Sequence, residues 1–174
     1  MGAMQDRHTL IVMRHAKAGD LPGGPDFERA LRPRGQRDSA AAGRWLAARG
    51  LYPGLVLCSA ARRTRQTWQH VSGTLLAESA GPAPVFLAEQ RLYAADSEDV
   101  ADVVRETSDE ITKVLYIGHN PAAAEIVQQL TGAEPEFPTA ALAVIGVDSD
   151  WADLGPESSD LIASWTPREA EAAT

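Results

Sequence analysis

Leu10-Ile11-Val12-Met13-Arg14-His15-Ala16-Lys17 carries four apolar residues straight into a cationic pair. The unbroken apolar run predicts a short buried strand that ends in a turn. An Arg-His pair at the carboxyl end of such a strand stands where open α/β sheets place their ligand sites. His15 can act as a nucleophile while neutral, and Arg14 can hold an anion beside it. An isolated Arg-His pair is ordinarily solvated surface. This one matters because three later segments answer it.

The first is Ser59-Ala60-Ala61-Arg62-Arg63-Thr64-Arg65-Gln66-Thr67, which follows the apolar run Leu55-Val56-Leu57-Cys58. It opens a helix at a strand's end, where both the helix amino terminus and the arginines favour an anion. The second is Val114-Leu115-Tyr116-Ile117-Gly118-His119-Asn120-Pro121, a strand followed by a histidine. Here Asn120 is expected at the N-cap and Pro121 at the first helical position. The third is Val85-Phe86-Leu87-Ala88-Glu89, which sets a carboxylate at a fourth strand-to-loop junction. Two histidines, two or more arginines and a carboxylate at four such junctions describe a phosphate pocket with acid–base capability.

These pieces, taken in order, resemble the histidine phosphatase superfamily, and within it the small SixA-like phosphohistidine phosphatases. The matching segments are Met13 to Lys17, Leu31-Arg32-Pro33-Arg34-Gly35, Ser59 to Thr67, Leu87 to Glu89, Gly118 to Pro121, and Phe137-Pro138-Thr139-Ala140-Ala141. Two departures are Ala16, where much of the superfamily has Gly, and Ala60, where Pro often follows the Ser. Neither removes a functional group. The resemblance implies a phosphoglycerate mutase-like α/β fold, a three-layer α/β/α sandwich around a mostly parallel sheet. It implies His15 as nucleophile, with Arg14, Arg63 and His119 on the phosphoryl group, Lys17 adding charge beside it, and Glu89 as proton donor. It implies no metal and no cofactor. Phosphate or vanadate are expected as ligands, and a phosphorylated substrate, a phosphohistidine-bearing protein among them, as partner.

The residues set their own bounds. A chain of 174 residues fits one domain with a substantial core, here residues 4–167. Residues 1–3 are set aside, and 168–174 are expected to form a frayed tail. No apolar run reaches the roughly 20 residues needed to cross a membrane, and no signal-peptide pattern is visible. The single cysteine, Cys58, cannot form an internal disulfide, which fits a cytoplasmic protein. Net charge is −8, which argues against a nucleic-acid binder. Strands are expected at 9–13, 55–58, 85–87, 113–117, 141–147 and 161–165. Helices are expected at 34–49, 64–77, 98–106 and 121–131, and 148–160 reads as a loop. The Gly/Pro/Asp-rich stretch 18–30 is long enough to suggest a functional loop. Arg29, Arg32, Arg34 and Arg37 read as solvated helix-entry charges, with a substrate-recognition role as the alternative, and His8 and His70 as surface residues.

Helical geometry narrows the arginines. Neighbours on a helix diverge by about 100°, so Arg62, Arg63 and Arg65 cannot share one pocket; counting from Ser59 in the family pattern selects Arg63. A cysteine phosphatase is excluded because the position six residues after Cys58 is Thr64. No metal-ligand cluster or Gly-Lys phosphate loop is present. A mutase or small-molecule phosphomonoesterase of the same superfamily is the nearest rival. The short chain, without covering insertions, favours an open pocket and hydrolysis. A catalytically weak phosphate-binding regulatory module is the rival from another class.

Overall fold

The computed structural model describes residues 8–168. The expectations for residues 1–3 and 169–174 lie outside them. The elements are β1 (His8–Arg14), α1 (Pro33–Ala48), β2 (Leu55–Ser59), α2 (Arg62–Leu75), β3 (Val85–Glu89), α3 (Ser97–Arg105), β4 (Lys113–Gly118), α4 (Ala122–Thr131), β5 (Leu142–Val147) and β6 (Ser159–Trp165). They form one sheet in the order β3-β2-β4-β1-β5-β6. The four strands from β3 to β1 run parallel, while β5 and β6 are antiparallel.

The apolar run at 10–13 is continuous because β1 is covered on both faces. Leu10 and Val12 enter a core with α3 and α4, and Ile11 and Met13 enter one with α1 and α2. The path of the chain explains this division. From β1 the chain steps outward through β2 to β3, then returns to β4 and continues past β1 to β5. Right-handed crossovers running in opposite directions put their helices on opposite faces. The reversal lies between β1 and β4, and the crevice at their carboxyl ends is where such a sheet binds ligands.

Boundaries shift where tertiary pairing decides them. Helix α2 begins at Arg62 rather than 64, since the Arg65 amide already bonds to the Ala61 carbonyl (3.1 Å). Strand β6 begins at Ser159 rather than 161, because Ser159 and Asp160 pair with Val147 and Gly146. Pro121 itself takes the N-cap position of α4, not the first helical position, and its bond to Asn120 is cis. Asn120 stands one residue earlier, yet its side chain still accepts the Ala124 amide (3.2 Å). Two glycines permit close approach. A Cβ on Gly35 would strike the Lys17 backbone, and one on Gly43 would strike Val71 and Thr74 of α2.

His8 is not a surface residue. It is 2% exposed and stacks on buried Trp151 with ring centroids 4.6 Å apart. Its Nδ1 faces the Ser149 carbonyl (2.7 Å) and its Nε2 the Asp109 carbonyl (3.1 Å). It opens β1 at the end opposite the candidate site, so no reading of the phosphate motifs could have placed it.

Candidate active site

Two backbone bonds bring the histidines together. The His15 amide donates to the Gly118 carbonyl (2.9 Å), joining the ends of β1 and β4, and the Ala140 amide donates to the His15 carbonyl (3.0 Å). The rings of His15 and His119 lie 5.3 Å apart between centroids. His15 Nδ1 is 2.8 Å from the Ala16 carbonyl oxygen, which can only accept. The proton therefore sits on Nδ1, and Nε2 carries the lone pair. Burial, followed by His119, Arg63 and Arg14, outweighs the Ala16 bond and lowers the His15 pKa to about 3. His15 is thus neutral at physiological pH.

His119 is neutral for related reasons, its pKa lowered to about 4 chiefly by burial and then by Arg63. Arg63 donates to its Nδ1 (3.3 Å), so Nε2 donates to the Ser59 hydroxyl (2.8 Å). Ser59 is fully buried at the end of β2. Arg63 is 6% exposed, while its helical neighbours Arg62 and Arg65 are exposed to solvent. The Thr67 hydroxyl accepts the Ala16 amide (3.0 Å) and donates to the Arg63 carbonyl (2.7 Å), which ties α2 to the turn after His15. Arg14 donates to the Phe137 carbonyl (3.3 Å), an oxygen it shares with the Asn120 amide group (3.0 Å). The 137–141 segment thus holds the Arg14 side chain and backs His15.

Asp26, from the long 18–30 loop, was not foreseen and lies on Arg63. Its carboxylate accepts from Arg63 (3.0 Å), Arg29 (2.9 Å) and the Tyr93 hydroxyl (2.6 Å), and its carbonyl accepts a second bond from Arg63 (2.9 Å). Tyr93, then Arg29 and Arg63, hold this carboxyl well below the usual range despite some desolvation. Tyr93 meets His119 edge-on at 5.8 Å and Phe27 at 5.0 Å. Arg29 therefore belongs to the site rather than to solvated helix-entry charge. The 18–30 loop thus reaches Arg63 through Asp26. The only signals in the sequence were the loop's length and the i, i+3 pair Asp26 and Arg29.

Glu89 lies beside Ser59 in the β2–β3 register, and its carboxylate pairs with Arg91 (3.3 Å), which also holds Glu106 (2.8 Å). The Lys17 side chain is exposed. Cys58 is buried, and burial pushes its thiol up to about 12, which removes it as a nucleophile. Among the described residues there is no group of three or more His, Cys, Asp or Glu that could hold a metal ion, and no helix long and apolar enough to cross a membrane.

No protein-family model matches the chain. It is 37% identical to the uncharacterized protein ML1117 of Mycobacterium leprae, over 90% of this chain and 100% of that one. Among solved structures it matches a Nakamurella multipartitia protein assigned as phosphohistidine phosphatase SixA, with a TM-score of 0.79 and 29% identity over 92% of this chain and 96% of that one. It also shares the fold of a protein histidine phosphatase SixA complexed with tungstate, with a TM-score of 0.76 and 24% identity over 93% of this chain and 99% of that one. With this fold and this likeness over nearly its whole length, the chain belongs to the histidine phosphatase superfamily, in its SixA-like branch.

Proposed function

We propose that this protein is a phosphohydrolase that works through a phosphohistidine intermediate on His15, with phosphohistidine on a partner protein as its substrate. The observation that carries this reading is the His15 ring itself. It is buried, neutral and locked by Ala16, with Nε2 free among Arg14, Arg63 and His119. In the first step the Nε2 lone pair forms a bond to phosphorus as the bond to the leaving group breaks. Arg14, Arg63 and His119 stabilise the charge on the equatorial oxygens. In the second step water attacks phosphorus, the N–P bond breaks, and phosphate leaves with His15 restored. Glu89, at the rim next to Ser59, gives a proton to the leaving group and takes one from the attacking water. Lys17 adds positive charge at the mouth. No step requires a metal or cofactor. The tungstate held by the SixA relative supports an oxyanion pocket, and vanadate or phosphate should inhibit. The buried thiol of Cys58 fits a cytoplasmic setting.

The test is rapid quenching with labelled substrate in the presence of EDTA. Acid-labile, alkali-stable label on the wild-type protein, absent from His15→Ala, is expected. Acid-stable label, label on His15→Ala, or a need for added divalent ion would overturn the mechanism. A panel of phosphohistidine protein, phosphoserine peptide and small phosphoesters decides the substrate class. Glu89→Gln should slow alkyl phosphates far more than phosphohistidine, whose imidazole leaves with less help. Equal slowing of both would remove Glu89 from proton transfer.

A further inference from the structure

Charge is segregated along this chain and across its fold. Residues 14–65 hold eleven of the 16 Lys and Arg but only four of the 24 Asp and Glu. The remainder is strongly acidic. The basic stretch includes all of α1 and the first turn of α2, which cover one face of the sheet, while acidic α3 and α4 cover the other.

The basic side chains gather at one end of that face. The Arg32 amide donates to the Lys17 carbonyl (2.9 Å), so α1 starts against the turn that follows His15. The Leu31 amide donates to Gln66 of α2 (2.8 Å), so the two helix starts are neighbours. Arg62 stands one residue before the pocket arginine. Lys17, Arg32, Arg34, Arg37, Arg62 and Arg65 thus form a collar at the carboxyl end of β1, beside the candidate site. The Arg34 and Arg32 side chains are 61% and 54% exposed, with longer ion pairs to Asp38 (3.5 Å) and Asp20 (4.0 Å). These arginines point into solvent rather than into the pocket, so a small phosphoester held by Arg14 and Arg63 would not meet them. They can act only on a ligand larger than the phosphoryl group and its immediate leaving group.

We infer that this collar is a docking surface for an acidic protein surface that surrounds the phosphorylated side chain of the substrate. The inference rests on the phosphatase reading and names the kind of protein it acts on. An acidic protein face is favoured over nucleic acid. A compact acidic patch meets only the collar, whereas a long polyanion would also run along the acidic remainder of a protein of net charge −8. Opposed charges of this kind speed encounter and exclude wrong partners, and salt weakens them.

The test compares two phosphohistidine peptides, one flanked by Asp and Glu and one by Lys, with an aryl phosphate as reference. The wild-type protein should prefer the acidic peptide in kcat/KM by about tenfold or more at low salt. The preference should collapse in 0.5 M salt and in the triple variant Arg34→Glu, Arg37→Glu, Arg62→Glu. Turnover of aryl phosphate by that variant should match wild type, which also shows that it folds. Equal use of both peptides, a preference for the basic one, hydrolysis of the aryl phosphate alone, or an acid preference that survives the triple variant would overturn the docking surface. Protection of single-stranded oligonucleotide by the wild type, lost in the triple variant, would overturn it in favour of nucleic acid. Failure of the wild type on all three substrates would instead overturn the phosphatase reading.

Discussion

Arg63 and Asp26 make the sharpest residue-scale predictions. The Arg63 guanidinium, buried and bonded to His119 and Asp26, is the group of α2 that can meet a phosphoryl oxygen. Losing such a charge-assisted contact in the transition state costs about 2–4 kcal/mol, or on the order of 30- to 1000-fold in rate. Arg63→Ala should lower kcat/KM for aryl phosphate to that extent, and Arg63→Lys should recover little, because Lys lacks the planar fork. Arg62→Ala should change it less than about tenfold, since an exposed charge is screened. A crippled Arg62→Ala beside a nearly normal Arg63→Ala would reverse the assignment. Asp26 raises a second question. Its carboxylate occupies the arginine proposed to hold phosphate, so in that reading an incoming dianion shares or displaces it. Asp26→Asn keeps the shape and removes the charge, and inorganic phosphate should inhibit that variant at several-fold lower concentration. Weaker inhibition would mean that Asp26 orders Arg63 instead of competing for it. Helical period says that the three arginines cannot all turn inward, and the resemblance, counted from Ser59, selects Arg63. What it turns toward is not readable, because Asp26 lies 37 residues away along the chain.

At the scale of elements, strands buried on both faces were the most legible part of the sequence. The runs at 10–13, 55–58 and 114–117 read as continuous apolar stretches because helices cover both sides of them. Strand β3 is apolar too, yet it forms a sheet edge where Val85 and Leu87 are 56% and 42% exposed. Composition alone does not separate a covered strand from an edge. His8 shows the opposite failure. A polar residue became core because Trp151 and two carbonyls from distant loops close around it. The two ring nitrogens face those carbonyls, and the stack supplies apolar contact. His8→Ala leaves a cavity beside Trp151 and takes the ring away from the Ser149 and Asp109 carbonyls, so it should destabilise the fold by about 2–4 kcal/mol. Denaturant titration measures this; a loss under about 0.5 kcal/mol would make the stack ornamental. Aryl phosphate turnover by the folded variant should be unchanged, since His8 lies at the far end of β1.

For the whole molecule, the two neutral histidines link pH to stability. Their pKa values fall from about 6.5 in an unfolded chain to about 3 and about 4 in the fold. Between those limits the unfolded chain binds more protons, so stability falls as pH drops from about 6.5 toward 4. In phosphate-free buffer, the unfolding midpoint should decline over pH 6.5 to 4.5, and His15→Asn should show a shallower decline. Parallel declines would place the linkage elsewhere. The layered architecture followed from alternating strand and helix signals, because each crossover has one favoured hand. The contact of Asp26 with Arg63 did not, since nothing local to 18–30 specifies where the loop lands. One backbone bond sets a dimension of the site. The bond from the His15 amide to the Gly118 carbonyl holds His15 and His119 just past the ends of adjacent strands, which stand about 4.8 Å apart in any sheet. The separation of the two backbones is therefore set by the ladder of the sheet, while Ala16, Ser59 and Arg63 set how each ring turns. A change in the collar, the long loop or the outer strand should therefore leave the spacing of the two histidine backbones as it is.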